Sequence, residues 1–161
     1  MAVRPVTPVS KIQRLSRDVA TALQPALNPY AANALEQGEW LTETATGWDR
    51  ISGTDPAAGG AAAAEMVWSK RGEAPTAALN KVACFTVHEF IVETDMFDDS
   101  LTPALGQHLT VHACTVGGVA DRSALTLAAT GEPTRALVQG PLPADNSGWL
   151  RVKVTSPFAA P

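Results

Sequence analysis

The chain has 161 residues, 45% of them apolar, which is enough for one domain with a core of its own. Only 17% are charged, below the usual quarter, and with abundant Ala, Thr, Val and Gly this predicts a surface partly covered by other protein chains. A net charge of −4 gives no reason for a nucleic-acid-binding body, no run nears the roughly 18 apolar residues of a membrane span, and residues 1–14 lack the apolar stretch of a secretory leader.

In chain order, residues 1–17 hold Arg4, Lys11, Arg14 and Arg17 with no acid. A positive segment on a negative body can dock on an acidic neighbour or remain a solvated tail. Pro5 and Pro8 keep its start extended. Ser10 to Gln13 has capping-box spacing, and Ile12, Leu15, Val19 and Leu23 recur at helical intervals. The spacing predicts a short amphipathic helix over 10–24, stopped by Pro25 and Asn28–Pro29. Two units follow from this: an N-terminal arm with its helix, 1–30, and a β-domain, 31–161.

In GEWLTETATGWDRISG, Trp40 and Trp48 flank a turn at Thr46–Gly47, which predicts a hairpin between about 38–45 and 48–52. TDPAAGGAAAA reads as a loop and AAEMVWSKRGE as a strand. KVACFTVHEFIVET, residues 81–94, is the longest apolar run and is expected to be one central strand. MFDDSLTPALG is a turn-rich crossover. From Leu105 to Pro157, short alternating runs are punctuated by Gly, Pro and Asn, as in a small antiparallel β-domain. Parity assigns Leu109, Val111 and Ala113 to a core face, and His108, Thr110 and His112 to solvent or a partner. It likewise opposes Leu150, Val152 and Val154 to Trp149, Arg151 and Lys153. A Trp displayed beside two cations is a typical interface anchor. The expected fold is mainly β: a small antiparallel barrel or sandwich of about seven or eight strands, with an extended N-terminal arm and one short helix.

Residue types that carry chemistry are sparse. Cys84-x3-His88 and His108-x3-His112-x-Cys114 mix soft ligands, but residues four apart on a strand sit about 13 Å apart, too far to share one ion. Buried free thiols in a reducing compartment are expected for Cys84 and Cys114, with a disulfide between adjacent strands the alternative. Glu93, Asp95, Asp98 and Asp99 lack calcium-loop spacing, and Asp98, Asp99 and Ser100 serve as turn formers. There is no G-x-S-x-G elbow or phosphate loop. These observations predict no enzyme, no catalytic residue, no bound metal and no cofactor.

With GEWLTETATGWDRISG near the front, KVACFTVHEFIVETDMFD in the middle, and LGQHLTVHACTVGG leading to ALVQGPLPADNSGWLRVKVTSP, the chain resembles the capsid decoration, or cement, proteins of tailed bacteriophages. VRPVTPVSKIQRL resembles their extended arms. The resemblance implies a structural virion protein on the capsid exterior, assembled in the host cytoplasm as a trimer or dimer. It would clamp neighbouring subunits of the major capsid protein, with no direct contact to nucleic acid or membrane. It casts Arg4, Ile12, Arg14 and Leu15 of the arm, and Trp149, Arg151 and Lys153, as partner-binding residues. Removal of 1–17 is then expected to leave a folded body that no longer binds capsids. The alternatives are a tail, neck or head-fibre base module, a small β-barrel metal- or ligand-binding protein using His88, His108 or His112, and nucleic-acid binding through the basic arm.

Overall fold

A computed structural model of the chain describes residues 3–8, 11–52, 60–69, 80–86, 89–142 and 148–161. They form β1 (Val3–Pro5), β2 (Arg14–Asp18), β3 (Trp40–Thr44), β4 (Gly47–Arg50), β5 (Glu65–Ser69), β6 (Lys81–Phe85), β7 (Phe90–Thr94), β8 (His108–Val116), β9 (Val119–Leu127), β10 (Pro133–Val138) and β11 (Leu150–Ala159). The helical elements given among the described residues are a 3-10 turn at Gln24–Leu27 and the four-residue α1, Gly60–Ala63. The mainly antiparallel β architecture matches expectation, but the described residues hold eleven strands instead of seven or eight. Six lie in the order β1-β7-β11-β10-β8-β9 and five in the order β2-β6-β5-β3-β4.

The predicted helix over 10–24 is replaced by β2, which pairs with β6 in the register Leu15 to Cys84 and Arg17 to Val82. β1 pairs with β7, Val3 opposite Thr94. The N-terminal segment is therefore built into both sheets, and no boundary falls at residue 30. The physical reason is that a helix would satisfy its own backbone but leave β6 an unpaired edge, whereas β2 satisfies both. The apolar stripe that suggested a helix is dispersed. Ile12 enters the core between the sheets, Leu15 stays exposed, and Val19 and Leu23 enter a second core.

The run 81–94 is two strands in different sheets, β6 and β7, with the chain crossing over between them. β6 has apolar residues on both faces, and Phe90, Ile91 and Val92 open β7 as a continuous apolar stretch, so alternation carries no mark of the break. Between the sheets, Trp40, Met66 and Phe85 of the five-stranded sheet meet Val92, Leu109, Val111, Leu125 and Val152 of the six-stranded one. On the other face of the five-stranded sheet, Leu41, Trp48, Val67 and Cys84 are covered by Val19, Leu23, Leu27 and Leu35.

That second core requires the five-stranded sheet to curl. Val19, just past β2, makes a parallel bridge to Trp48 of β4, and the Ala20 N–H donates to the Trp48 carbonyl at 2.8 Å. A single bridge is not a ladder, so the sheet does not close into a barrel. Gly47 permits the approach. Its φ is +127°, and a Cβ there would lie 2.8 Å from the Ala20 nitrogen. The hairpin it begins, β3–β4, is the one expected from Trp40 and Trp48, with Glu43 opposite Trp48.

The acidic loop after β7 is a clamp. Met96 packs with Val116 and Ala124, and the Asp98 N–H donates to the Leu125 carbonyl at 2.8 Å. The Asp99 carboxylate accepts the N–H groups of Gly117 and Gly118 at 2.7 and 2.9 Å, capping the β8–β9 turn. Asp98 accepts from the backbone and hydroxyl of Ser100, as expected of a turn former. The loop thus covers part of the β9 edge, while β1, the opposite edge, is three residues long and contains Pro5. Short, proline-bearing or covered edges discourage pairing with another chain's strand.

Candidate interaction surface

The residues that the sequence nominates for partner contact fall into two groups. Leu150, Val152 and Val154 are buried, and Trp149, Arg151 and Lys153 lie half-buried on the opposite side of β11. This is the expected parity, yet the polar side is already engaged. Arg4 places its guanidinium 3.8 Å above the Trp149 ring. Glu93 stands in register between Arg4 and Arg151, and Arg151 donates to it at 2.7 Å. Lys153 Nζ lies 3.6 Å from Glu89. Arg4, Trp149, Arg151 and Lys153 are thus brought together, but as a network closed largely on itself.

The second group is on or next to β2. Ile12 is buried in the core between the sheets and is not available to a partner. Arg14 is exposed, with its guanidinium 5.8 Å from the Trp68 ring centre, and Leu15 is exposed on the edge strand.

Arg4 and Arg14 belong to a wider pattern that the sequence reading missed. Each of the four tryptophans carries an arginine against its ring: Arg4 on Trp149, Arg14 on Trp68, Arg17 on Trp48 at 4.7 Å, and Arg135 on Trp40 at 5.2 Å. Three of these arginines come from residues 1–17. The basic segment docks on aromatic rings and acids of its own chain. Arg17 also grips Glu65 of β5 through two hydrogen bonds of 2.8 and 2.6 Å, which raise its pKa from the ordinary arginine value.

The histidine face of β8 is more covered than expected. Thr110 is fully buried, His108 lies against Thr134 Oγ1 at 3.1 Å and edge-on to Phe158, and His112 Nε2 sits 3.4 Å from Glu132 Oε1. Ala113, expected in the core, is only half-buried. His88 lies outside the described residues. Among the described residues, no three His, Cys, Asp or Glu side chains cluster as metal ligands. Cys84 and Cys114 are free thiols in different sheets. Burial, reinforced by Glu65 for Cys84 and by Asp98 for Cys114, pushes each up to about 12, so neither is a ready nucleophile.

Buried charge is the other unforeseen feature. Glu39, with no exposed surface, accepts from Arg50 at 2.6 and 2.9 Å and from Arg122 at 2.6 Å. Both arginines also donate to the Ala34 carbonyl. Arg122 belongs to β9 and Arg50 to β4, so this triad ties one sheet to the other. No signal in a single sequence marks these residues, because their pairing exists only after the sheets pack.

Several large apolar side chains also face outward, scattered over the surface. Tyr30 is 93% exposed and Leu105 66%, and Leu15, Leu127, Leu142 and Phe158 also reach solvent. Leu105 packs beside Gly140. Comparison with protein-family models, curated proteins and solved structures returned no match.

Proposed function

We propose that this chain is a structural virion protein that decorates a tailed-phage capsid and binds across neighbouring subunits of the major capsid protein, on the capsid exterior, as a dimer or trimer. The two sheets with a shared core read as a sandwich. The observation that carries the reading is the division of labour on the surface. The charged groups that resemble a site are tied into internal pairs, while large apolar side chains such as Tyr30 and Leu105 stand in solvent. Tyr is enriched in the buried centres of protein contacts, which makes Tyr30 the first of these residues to test. Short and covered edges on the six-stranded sheet favour contact there through side chains over strand addition. Of the residues nominated from sequence, Arg14 and Leu15 keep an outward position suited to such contact.

Truncation of 1–17 is a poor test, because it removes β1 and most of β2 from the sheets. Point variants separate binding from folding. Purified protein mixed with expanded capsids is expected to co-sediment and saturate at a fixed ratio to the major capsid protein. Leu15→Ser and Tyr30→Ser are expected to lower occupancy without changing the melting temperature. Absence of co-sedimentation at micromolar protein, or full occupancy by the double variant, would overturn the reading.

A further inference from the structure

Between the sheets, beside α1, lies a cavity of about 70 Å³ lined by Trp40, Met66, Phe85, Phe90, Val154 and Arg135, among others. It exceeds several times the roughly 10–15 Å³ that admits one water. Arg135 reaches it from β10 at the register shift between Thr134 and Ala136, where an extra residue re-aims its side chain.

Arg135 is only 5% exposed. One terminal nitrogen donates to the carbonyls of Ala61 and Ala62, at 3.1 and 2.8 Å. Among the described residues it has no carboxylate at ion-pair distance, and its buried Nε–H has no acceptor. Trp40 lines the same cavity, and its indole Nε1–H is also buried without an acceptor. Glu65 lines the cavity too, but both its oxygens are held by Arg17. Burial lowers the Arg135 pKa to about 10, with the Glu65 charge opposing the shift, which still leaves it a cation at neutral pH.

A buried cation with no carboxylate at ion-pair distance among the described residues therefore lines a space of mixed polar and apolar character, beside two donors that lack acceptors. A buried charge in that condition is costly, and its complement is an acceptor that bears negative charge. A carboxylate matches the fork of a guanidinium, and the rings and thioether of Phe85, Phe90 and Met66 match a short hydrocarbon tail. We propose that the cavity binds a small aliphatic carboxylate, with its oxygens on the Arg135 guanidinium and its tail between the sheets.

The test titrates the full chain with sodium acetate, propionate and butyrate, against sodium chloride at equal ionic strength, while following the Trp40 indole and Arg135 Nε–H resonances. Saturable shifts of both signals are expected with propionate, stronger than with acetate and absent with chloride. Arg135→Met is expected to weaken binding about tenfold or more, since a charge-assisted bond is lost. Should that variant fail to fold, Ala62→Leu, which fills the cavity from its half-buried rim, is expected to abolish the shifts. Shifts that follow ionic strength alone, an equal response to chloride, or unchanged binding in Ala62→Leu would overturn the proposal.

Discussion

Replacing Glu39 by Gln removes one charge while keeping the shape of the side chain. Glu39 has no exposed surface, and its two oxygens take three short bonds from Arg50 and Arg122 plus the Glu36 N–H at 2.9 Å. In the variant, one oxygen becomes an NH2 group that faces an arginine donor, and two guanidinium groups are left without a counter-ion. Arg122 is only 3% exposed, so water does not replace what is lost. Removing one partner of a buried pair costs about 3–5 kcal/mol. That is a large part of the roughly 5–15 kcal/mol that holds a domain folded. At about 2–4 °C per kcal/mol for a chain of this length, the melting temperature is expected to fall by about 6–20 °C. Urea unfolding followed by circular dichroism measures it. The triple variant Glu39→Met, Arg50→Met, Arg122→Met is expected to recover most of the loss, because it leaves no orphaned charge. A loss below about 1 kcal/mol in Glu39→Gln would refute the argument that the triad is desolvated and mutually dependent.

Gly47→Ala places a Cβ 2.8 Å from the Ala20 nitrogen at a φ of +127°, so a loss of about 1–3 kcal/mol from backbone strain alone is expected in the urea midpoint. A neutral result would contradict the close approach of β4 to residues 18–20. Arg4→Ala is expected to cost only about 0.5–1 kcal/mol, because the pair is partly exposed, and to shift the Trp149 indole resonance. An unmoved resonance would contradict the stacking. The thiols of Cys84 and Cys114 titrate near 12 when folded against an ordinary value of 9.0. A raised folded pKa means that their contribution is complete below pH 9 and is lost as the pH rises toward 12. Stability is expected to decline over that window by up to about 1.4 kcal/mol per pH unit for each thiol. The decline should be shallower in Cys84→Ala, and an identical slope would refute the assignment.

Where local pattern and tertiary outcome agree, the chain is readable. Trp40 and Trp48 about a Gly turn mark a real hairpin, and the alternation of Leu150, Val152 and Val154 marks a real core face. The failures share a cause. Ile12, Leu15, Val19 and Leu23 have helical spacing, but their surroundings are decided by the pairing of β2 with β6, some seventy residues downstream. The break inside 81–94 is hidden because the apolar residues of β6 and of the start of β7 are joined with no Gly or Pro between them. At the candidate surface, Trp149, Arg151 and Lys153 share a face as parity requires, yet that face is occupied by Arg4 and Glu93 from strands distant in sequence. Arg135, Arg122 and Glu39 resemble ordinary surface residues until two sheets enclose them.

The position of β11 in its sheet also sets an order of events. It lies between β7 and β10, with Val152 opposite Val92 on one side and Val138 on the other. Until residues 150–159 emerge from the ribosome, β1–β7 and β10-β8-β9 are two separate fragments, each with an open edge. Val3 must wait for Thr94, and Arg4 must wait still longer for Trp149. At about 5–20 residues per second, the basic N-terminal residues spend several seconds without their final partners. During synthesis they are the free, positively charged segment that they cease to be in the finished protein.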